Sequence, residues 1–442
     1  MAGIAGIARR GQSWLVNVML DRMAHRGSAG RAVVETSVGT MGVIWPQPQF
    51  EAGVYLEKTQ AAMDEVGAGH YALAAKDFSL KRDPLGVAPL YFGRMMDGTL
   101  CFASEVKALL EATLQVEELP PGHIYDGRDL HPYETLTKQA QTDDPFETVA
   151  QELRCRLEAA VEKCTRGEEM GVWLSGGLDS SVMAALARPH VKQLHTFAAG
   201  LPGAPDLEYA QAAARHLKCK HHEITVQLKD ILNVLPMVIY HLESFDTWLV
   251  RSSVMNFLAA RKAAGYVLEV FSGEGGDELF AGYDYLKSID PAKLDDELVH
   301  ITSSLHNTAL QRVDRCASAF GLVAHVPFMD PDIVKYALRI PARYKLQEGD
   351  EKQILRLAMV GTLPEEVLRR PKAKFWQGAG VQDLLAQYAD EHITMTEFMR
   401  EQRLPNGWLL ASREELMYYR IFRDHFGKAN SLSWMGRSNY ST

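Results

Sequence analysis

The sequence predicts an α/β protein in two parts: a β-rich N-terminal domain over residues 1–138, then a parallel sheet with crossover helices and a helical C-terminal part over residues 146–442. Three observations predict it. The first part carries short segments of alternating polarity, broken by glycine and proline turns. From Phe146 the apolar spacing lengthens to the helical period, and strands then alternate with helices. Two glycine-rich loops each follow an apolar run, and a parallel sheet binds its ligands at the C-terminal ends of its strands.

In chain order, Gly69–Asp77, Pro89–Gly93 and Leu100–Ser104 read as strands, with turns at Arg82-Asp83-Pro84 and Asp97-Gly98. Pro120-Pro121-Gly122 closes this region, and the polar stretch from Gln139 to Pro145 reads as a linker. Val149, Leu153, Leu157, Ala160 and Val161 fall on one helical face. The run from Met170 to Leu174 is a strand, followed by a helix from Val182 to Ala187. A second strand near Leu194–Leu201 leads to a helix from Leu207 to Leu217. His222–Val226 is a third strand, with helices over Leu228–Leu242 and Val254–Ala264. Val267–Phe271 is a fourth strand, and the chain from about Leu294 is mainly helical.

Composition narrows the function classes. At 442 residues, 47% apolar and 23% charged, the chain can build large cores. A net charge of −9 argues against broad binding to nucleic acid or to an anionic membrane. No apolar run approaches a membrane span. Arg9 and Arg10 follow the mildly apolar start, whereas a signal peptide puts its basic residues first. The five cysteines are scattered without a CxxC pair, which argues against a disulfide framework or structural zinc. A cytoplasmic protein is expected.

The loop Leu174-Ser175-Gly176-Gly177-Leu178-Asp179-Ser180-Ser181 carries the chemistry. Gly176 and Gly177 let the backbone approach an anion closely. The new helix offers unpaired N–H groups and the positive end of its dipole. The serines add donors. Asp179 makes sense in a phosphate-binding loop only when a cation bridges it to the phosphates. The loop lacks the lysine of GxxxxGK[ST]. A plain capped turn needs one Ser or Asp, and here several converge. The second loop, Ser272 to Glu278, sets Glu274, Asp277 and Glu278 among glycines. Asp277 is expected to join Asp179 on a magnesium ion held by pyrophosphate. A solvated acidic loop would explain the charge, but neither the glycines nor the position after a buried strand.

The first loop resembles the pyrophosphate-binding SGGxDS loop of N-type ATP pyrophosphatases, which split ATP between the α and β phosphates and adenylate a substrate. The resemblance widens to the glutamine-dependent asparagine synthetases. Their SGGLDSS loop is followed here by Phe197 to Gly203, by His221-His222-Glu223-Ile224, by Tyr240 to Asp246 with Arg251-Ser252-Ser253, and by the SGEGxDE loop. Val326-Pro327-Phe328-Met329-Asp330, the KxxLR-type segment Lys352 to Arg356, and Arg370-Pro371-Lys372-Ala373-Lys374-Phe375 complete a match over nearly all of residues 146–427.

The resemblance implies a parallel-sheet ATP-pyrophosphatase domain using ATP and Mg2+. Ser175, Gly176, Gly177, Asp179 and Ser180 would grip pyrophosphate, and Asp179 and Asp277 would ligate magnesium. The backbone near Trp173, Leu174, Ala199, Ser272 and Gly273 would seat the adenosine. Glu274 would act on the attacking amine, and Lys372 would stabilise charge on the adenylate and the tetrahedral intermediate. Lys374 is the rival for that role. Asp246 and Arg251 suit contacts to the substrate's amino-acid groups, and a structural ion pair suits them nearly as well. His221 and His222 read as strand residues beside the nucleotide pocket, not as metal ligands. His325 stands where asparagine synthetases usually have arginine.

The opening Met1-Ala2-Gly3-Ile4-Ala5-Gly6-Ile7 is similar to the family's MCGIxGI, so the N-terminal part resembles a shortened Ntn-hydrolase-like (αββα) class II glutaminase domain. Ala2 replaces the nucleophilic cysteine, by natural loss or by mutation, and a methyl group cannot attack a carboxamide. Natural loss is favoured by further departures. Ala24-His25-Arg26-Gly27 is kept, but Met41 to Trp45 replaces the HRRLSI-type stretch and the NGEIYN-type motif is missing. The parts retained, Arg82 to Gly86, Pro89 to Tyr91 and Ala103 to Leu109, belong to the back of the domain.

The expected function is therefore an ATP-dependent, AMP-forming amide ligase without glutaminase activity. Aspartate and ammonia are the first-choice substrates. Its partners would be a small carboxylate and an amine or ammonia, with no nucleic acid or membrane; a homodimer stays open. β-Lactam synthetases and lasso-peptide cyclases also carry degenerate glutaminase domains, but the former replace the first acid of the SGEG loop with tyrosine, and this chain keeps Glu274. Intact Asp179, Glu274, Asp277 and Lys372 oppose a non-catalytic homologue. Acidic charge and the lack of a reactive cysteine pair oppose a tRNA-modifying pyrophosphatase.

Overall fold

The computed structural model describes residues 2–47, 52–67, 69–347, 349–371, 378–379, 383–429 and 431–437. The N-terminal part contains strands β1 (Gly3–Ile7), β2 (Gly30–Glu35), β3 (Thr40–Trp45), β4 (Ala62–Gly67), β5 (His70–Ala74), β6 (Leu80–Arg82), β7 (Tyr91–Arg94), β8 (Leu100–Ala103), β9 (Glu117–Glu118), β10 (His123–Tyr125) and β11 (Leu130–Pro132). They form two antiparallel sheets, a six-stranded one in the order β2-β3-β1-β8-β7-β9 and a five-stranded one in the order β11-β10-β6-β5-β4.

Strand alternation explains how the sheets stack. Ile4, Met41, Val43 and Phe102 of the first sheet share an apolar cluster with Ala62, Ala72, Ala74 and Leu80 of the second. The opposite face of β1, with Ala5 and Ile7, packs on Val16, Met19 and Leu20 of the helix Ser13–Arg22. The expected linker is irregular but not free: the Thr142 N–H donates to the Arg339 carbonyl at 2.9 Å, and the Gln141 amide bonds Asp295.

A third, wholly parallel sheet follows. Its strands β12 (Glu169–Trp173), β13 (Gln193–Gly200), β14 (Lys220–Thr225), β15 (Glu269–Phe271) and β16 (Val323–His325) lie in the order β14-β13-β12-β15-β16. The helices Leu178–Ala187, Pro205–His216, Leu228–Leu242, Thr247–Ala263 and Ala309–Ser318 lie in the crossovers. From β12 the chain builds outward through β13 and β14, then returns to add β15 and β16 on the other side. The order therefore reverses between β12 and β15, which is where an open α/β sheet leaves a crevice for ligands. The two glycine-rich loops leave those two strands.

Several boundaries differ from expectation for local reasons. The helix after the first loop starts at Leu178, so Asp179 and Ser180 belong to its first turn. The helix expected from Val254 starts at Thr247, because the Asp246 carboxylate caps it by accepting from the Leu249 N–H at 2.9 Å. Strand β16 was not expected: three residues are too few for a period to register. Among the described residues no helix is long and apolar enough to cross a membrane.

Candidate active site

The first loop is shaped by its own serines. The Leu174 N–H donates to the Phe197 carbonyl at 2.9 Å, carrying the sheet ladder to the loop's edge. Gly176 has φ +71°, and a Cβ there would lie 2.4 Å from the Ala210 nitrogen. Only glycine permits this turn against the helix Pro205–His216. The Ser180 hydroxyl accepts from the Ser175 N–H at 3.2 Å, donates to the Gly177 carbonyl at 3.1 Å, and lies 3.1 Å from the Ser175 hydroxyl. No side chain caps the helix that begins after Gly177. Its first N–H groups are a ready anion site.

The second loop lies directly against the first. A Cβ on Gly273 would fall 2.8 Å from the Ser180 nitrogen, and one on Gly276 would fall 2.6 Å from Asp179 Oδ1. The glycines therefore serve the contact between the loops. Lys352 Nζ sits 2.5 Å from Asp179 Oδ2 and 2.5 Å from Asp277 Oδ1. The lysine is buried, has φ +58°, and heads the helix Gln353–Ala358. Gly282 leaves room for the pair, since a Cβ there would meet Asp277 Oδ1 at 2.1 Å and Lys352 Cε at 2.3 Å. The two acids expected to share magnesium thus share an ammonium in this structure.

The donor set suits magnesium. That ion prefers one or two carboxylates plus substrate phosphates and water over an all-protein cage. Among the described residues no group of three or more His, Cys, Asp or Glu side chains is arranged to hold a metal alone.

Around this centre, Glu274 is ion-paired with Arg312. Glu278 is fully buried and accepts from the Tyr283 hydroxyl. Burial, reinforced by the charges of Asp277 and Glu274, pushes its carboxyl up to about 7. Arg370 donates to the Ser175 carbonyl at 3.2 Å, pairs with Asp206 at 2.5 Å and stacks on Tyr209 at 4.2 Å. A Cβ on Gly378 would meet Asp206 Oδ1 at 2.0 Å, and the Ala379 carbonyl accepts from the Leu201 N–H at 3.0 Å. Arg370 and Gly378 therefore both lie against Asp206. Lys372 and Lys374 lie outside the described residues.

Trp173 ends β12 and Ala199 lies in β13, both buried beside the first loop. Ser272 donates its N–H to the His325 carbonyl at 2.9 Å. The two residues expected to contact substrate have partners within the protein. Arg251 forks onto Glu414, with Nε–Oε1 at 2.8 Å, and Glu414 also accepts from the Tyr418 hydroxyl at 2.6 Å. The arginine ties two helices together. Asp246 is the helix cap described above. His221 and His222 are strand residues bonded to β13, through Thr196 at 2.9 Å and His195 at 3.0 Å. His325 is buried against Glu269 at 2.6 Å, which gives the replaced arginine position a structural partner. The residues that the sequence left without roles are Lys352, Arg312 and Arg370. A cation within a recognised motif was the available signal only for Lys352 and Arg370.

The geometry defines an α/β protein whose switch-point crevice is lined by helix N–H groups, two aspartates and a lysine. The asparagine synthase family matches residues 152–296 and 288–442, and the glutamine amidotransferase domain matches residues 54–149. The chain therefore belongs to the asparagine synthase family. It is 35% identical to the glutamine-hydrolyzing asparagine synthetase 2 of Arabidopsis thaliana, over 80% of this chain and 66% of that protein. It is 34% identical to the glutamine-hydrolyzing asparagine synthetase B of Escherichia coli (strain K12), over 86% of this chain and 75% of that one. The chain thus spans just under two thirds of the plant relative. The amidotransferase match starts well after Ala2. Among solved structures, NMN synthetase from Francisella tularensis aligns at TM-score 0.30 and 14% identity, over 67% of this chain and 100% of that one. A superposition that loose carries no argument.

Proposed function

We propose that this chain is an ATP-dependent, AMP-forming amide ligase that adenylates aspartate and transfers it to ammonia, without hydrolysing glutamine. The observation that carries the reading is the meeting of Asp179 and Asp277, from separate loops at the sheet's switch point, on one cation at 2.5 Å each. In the reaction, a carboxylate oxygen attacks the α-phosphorus of ATP and pyrophosphate leaves. The amine nitrogen then attacks the acyl carbon, and AMP leaves with the C–O electron pair.

The residues divide that work. Ser175, Gly176, Gly177 and Ser180, with the N–H groups that follow, bind the pyrophosphate oxygens. The backbone of Trp173, Leu174, Ala199, Ser272 and Gly273 seats the adenosine. Asp179 and Asp277 would hold magnesium, which when bound neutralises charge on the departing pyrophosphate. Lys352 stands between the same two acids, ready to donate to phosphate oxygens. Glu274 orients or deprotonates the attacking amine. Lys372 supplies positive charge to the oxyanion; it follows Arg370, which is bonded to the first loop. The unit boundaries are residues 1–138 and 146–442. The absence of glutaminase rests on Ala2, which is buried with its N–H bonded to Asp64 at 2.9 Å and carries only a methyl group. The enzyme would act in the cytoplasm on small molecules.

The test is pyrophosphate release with Mg-ATP across a panel of carboxylic acids, with ammonia or glutamine as nitrogen source. Release stimulated by aspartate, with asparagine formed from ammonia and not from glutamine, is expected. Silence with every acid would overturn the adenylation chemistry. Glutamine serving as well as ammonia would overturn the loss of glutaminase.

A further inference from the structure

Glu274 is held by Arg312, and Arg312 belongs to the helix Ala309–Ser318, which is buried almost throughout. The other side of that helix is fastened to the N-terminal part. Arg26, with no exposed surface, forks onto Asp314, with Nη1–Oδ1 at 3.1 Å. The same guanidinium bonds Glu105 and reaches the Ala2 carbonyl at 3.3 Å. Arg315 bonds Asp314 at 2.7 Å and Glu243 at 2.9 Å. Lys107 Nζ bridges Glu105 at 2.5 Å and Glu243 at 3.0 Å, and Glu243 also accepts from the N–H groups of Val106 and Lys107 at 3.1 and 2.8 Å.

Arg26, Lys107 and Arg315 thus balance Glu105, Glu243 and Asp314 in a buried network that joins the two parts of the chain. Buried ion networks are a poor source of stability compared with apolar packing, and their best-attested use is to fix position. Glutamine hydrolysis is not the use here, because the residue at the network's edge is Ala2. On a helix, residues two apart point to opposite sides. Arg312 therefore faces Glu274 while Asp314 faces Arg26, and a shift of the helix at one contact moves the other.

We propose that the N-terminal part is retained as a positioning element for amide formation: Arg26 and Glu105 fix the helix Ala309–Ser318 through Asp314 and Arg315, and that helix holds Arg312 on Glu274. This deepens the proposed function and rests on the reading that Glu274 acts on the attacking amine. Arg26 and Arg312 are positioning residues. Their loss misplaces a group needed after adenylation, so amide formation falls more than pyrophosphate release does.

The test measures both products, asparagine and pyrophosphate, for the full chain with aspartate, ammonia and Mg-ATP. Arg312→Gln and Arg26→Gln should lower asparagine formed per pyrophosphate released by about tenfold to a hundredfold, the range expected of a displaced reacting group. Arg26→Lys, which keeps the charge without the fork, should recover part of the ratio. A ratio equal to wild type in Arg312→Gln and in a folded Arg26 variant would overturn the proposal. Hydrogen exchange of the amides in 309–318 gives a readout free of activity. It should quicken in Arg26→Lys, and unchanged exchange would overturn the link even if Arg26→Gln fails to fold. A wild-type chain that releases no pyrophosphate would instead defeat the proposed function, and exchange would still report on the link.

Discussion

Replacing Lys352 with methionine tests the centre of the site. The substitution keeps length and apolar bulk and removes the charge. Asp179 Oδ2 and Asp277 Oδ1 each lie 2.5 Å from the lysine nitrogen, so they are at most about 5 Å apart. At an effective dielectric of about 20, two such charges repel by about 3 kcal/mol. That matches the range of about 3–5 kcal/mol for removing one partner of a buried ion pair, and the lower end applies because both carboxylates keep some solvent exposure. At roughly 2 °C per kcal/mol for a unit of this size, the melting midpoint in EDTA should fall by about 6 °C. Magnesium should then stabilise Lys352→Met more than wild type, because in wild type it must displace an ammonium from the same oxygens. Thermal melts with EDTA and with magnesium measure both effects. A variant that melts with wild type and shows the same magnesium response would refute the reasoning.

Three further outcomes can be measured. Glu278 has its carboxyl raised to about 7 against an ordinary 4.5, so its contribution to stability is complete below pH 4.5 and is lost as pH rises through 7. Melts of Glu278→Gln across pH 5–8 should therefore gain on wild type as pH rises; a gap that ignores pH would contradict this. Ala2→Cys should release no glutamate from glutamine, because the substrate-contacting motifs are missing as well as the nucleophile; restored hydrolysis would contradict the account of that part. Gly276→Ala should cut pyrophosphate release by at least about tenfold with an unchanged circular dichroism spectrum, since the new methyl meets Asp179 Oδ1 at 2.6 Å. Full activity would show that the loops need not touch.

What the sequence revealed follows the range of each signal. The loops after β12 and β15 were legible because glycine, serine and acid spacing is local, and the switch point then brings them together. The Asp246 cap is legible as an acid just before a helix, a signal that does not decide whether the same carboxylate also meets substrate. Arg251 could not be decided from sequence, because a guanidinium fork fits a substrate carboxylate and Glu414 equally well. Lys352 reaches Asp179 across 173 positions, and Arg26 reaches Asp314 across 288. No periodicity reports such pairs; only the packed fold does.

The central claim is that this crevice grips the tail of ATP so that cleavage falls between the α and β phosphates. Phosphorus-31 spectra of the reaction with aspartate, ammonia and Mg-ATP test it most directly. The account predicts AMP and pyrophosphate in equal amounts, lost together in Asp277→Asn. Accumulation of ADP and orthophosphate, or AMP formation that survives Asp277→Asn intact, would contradict it.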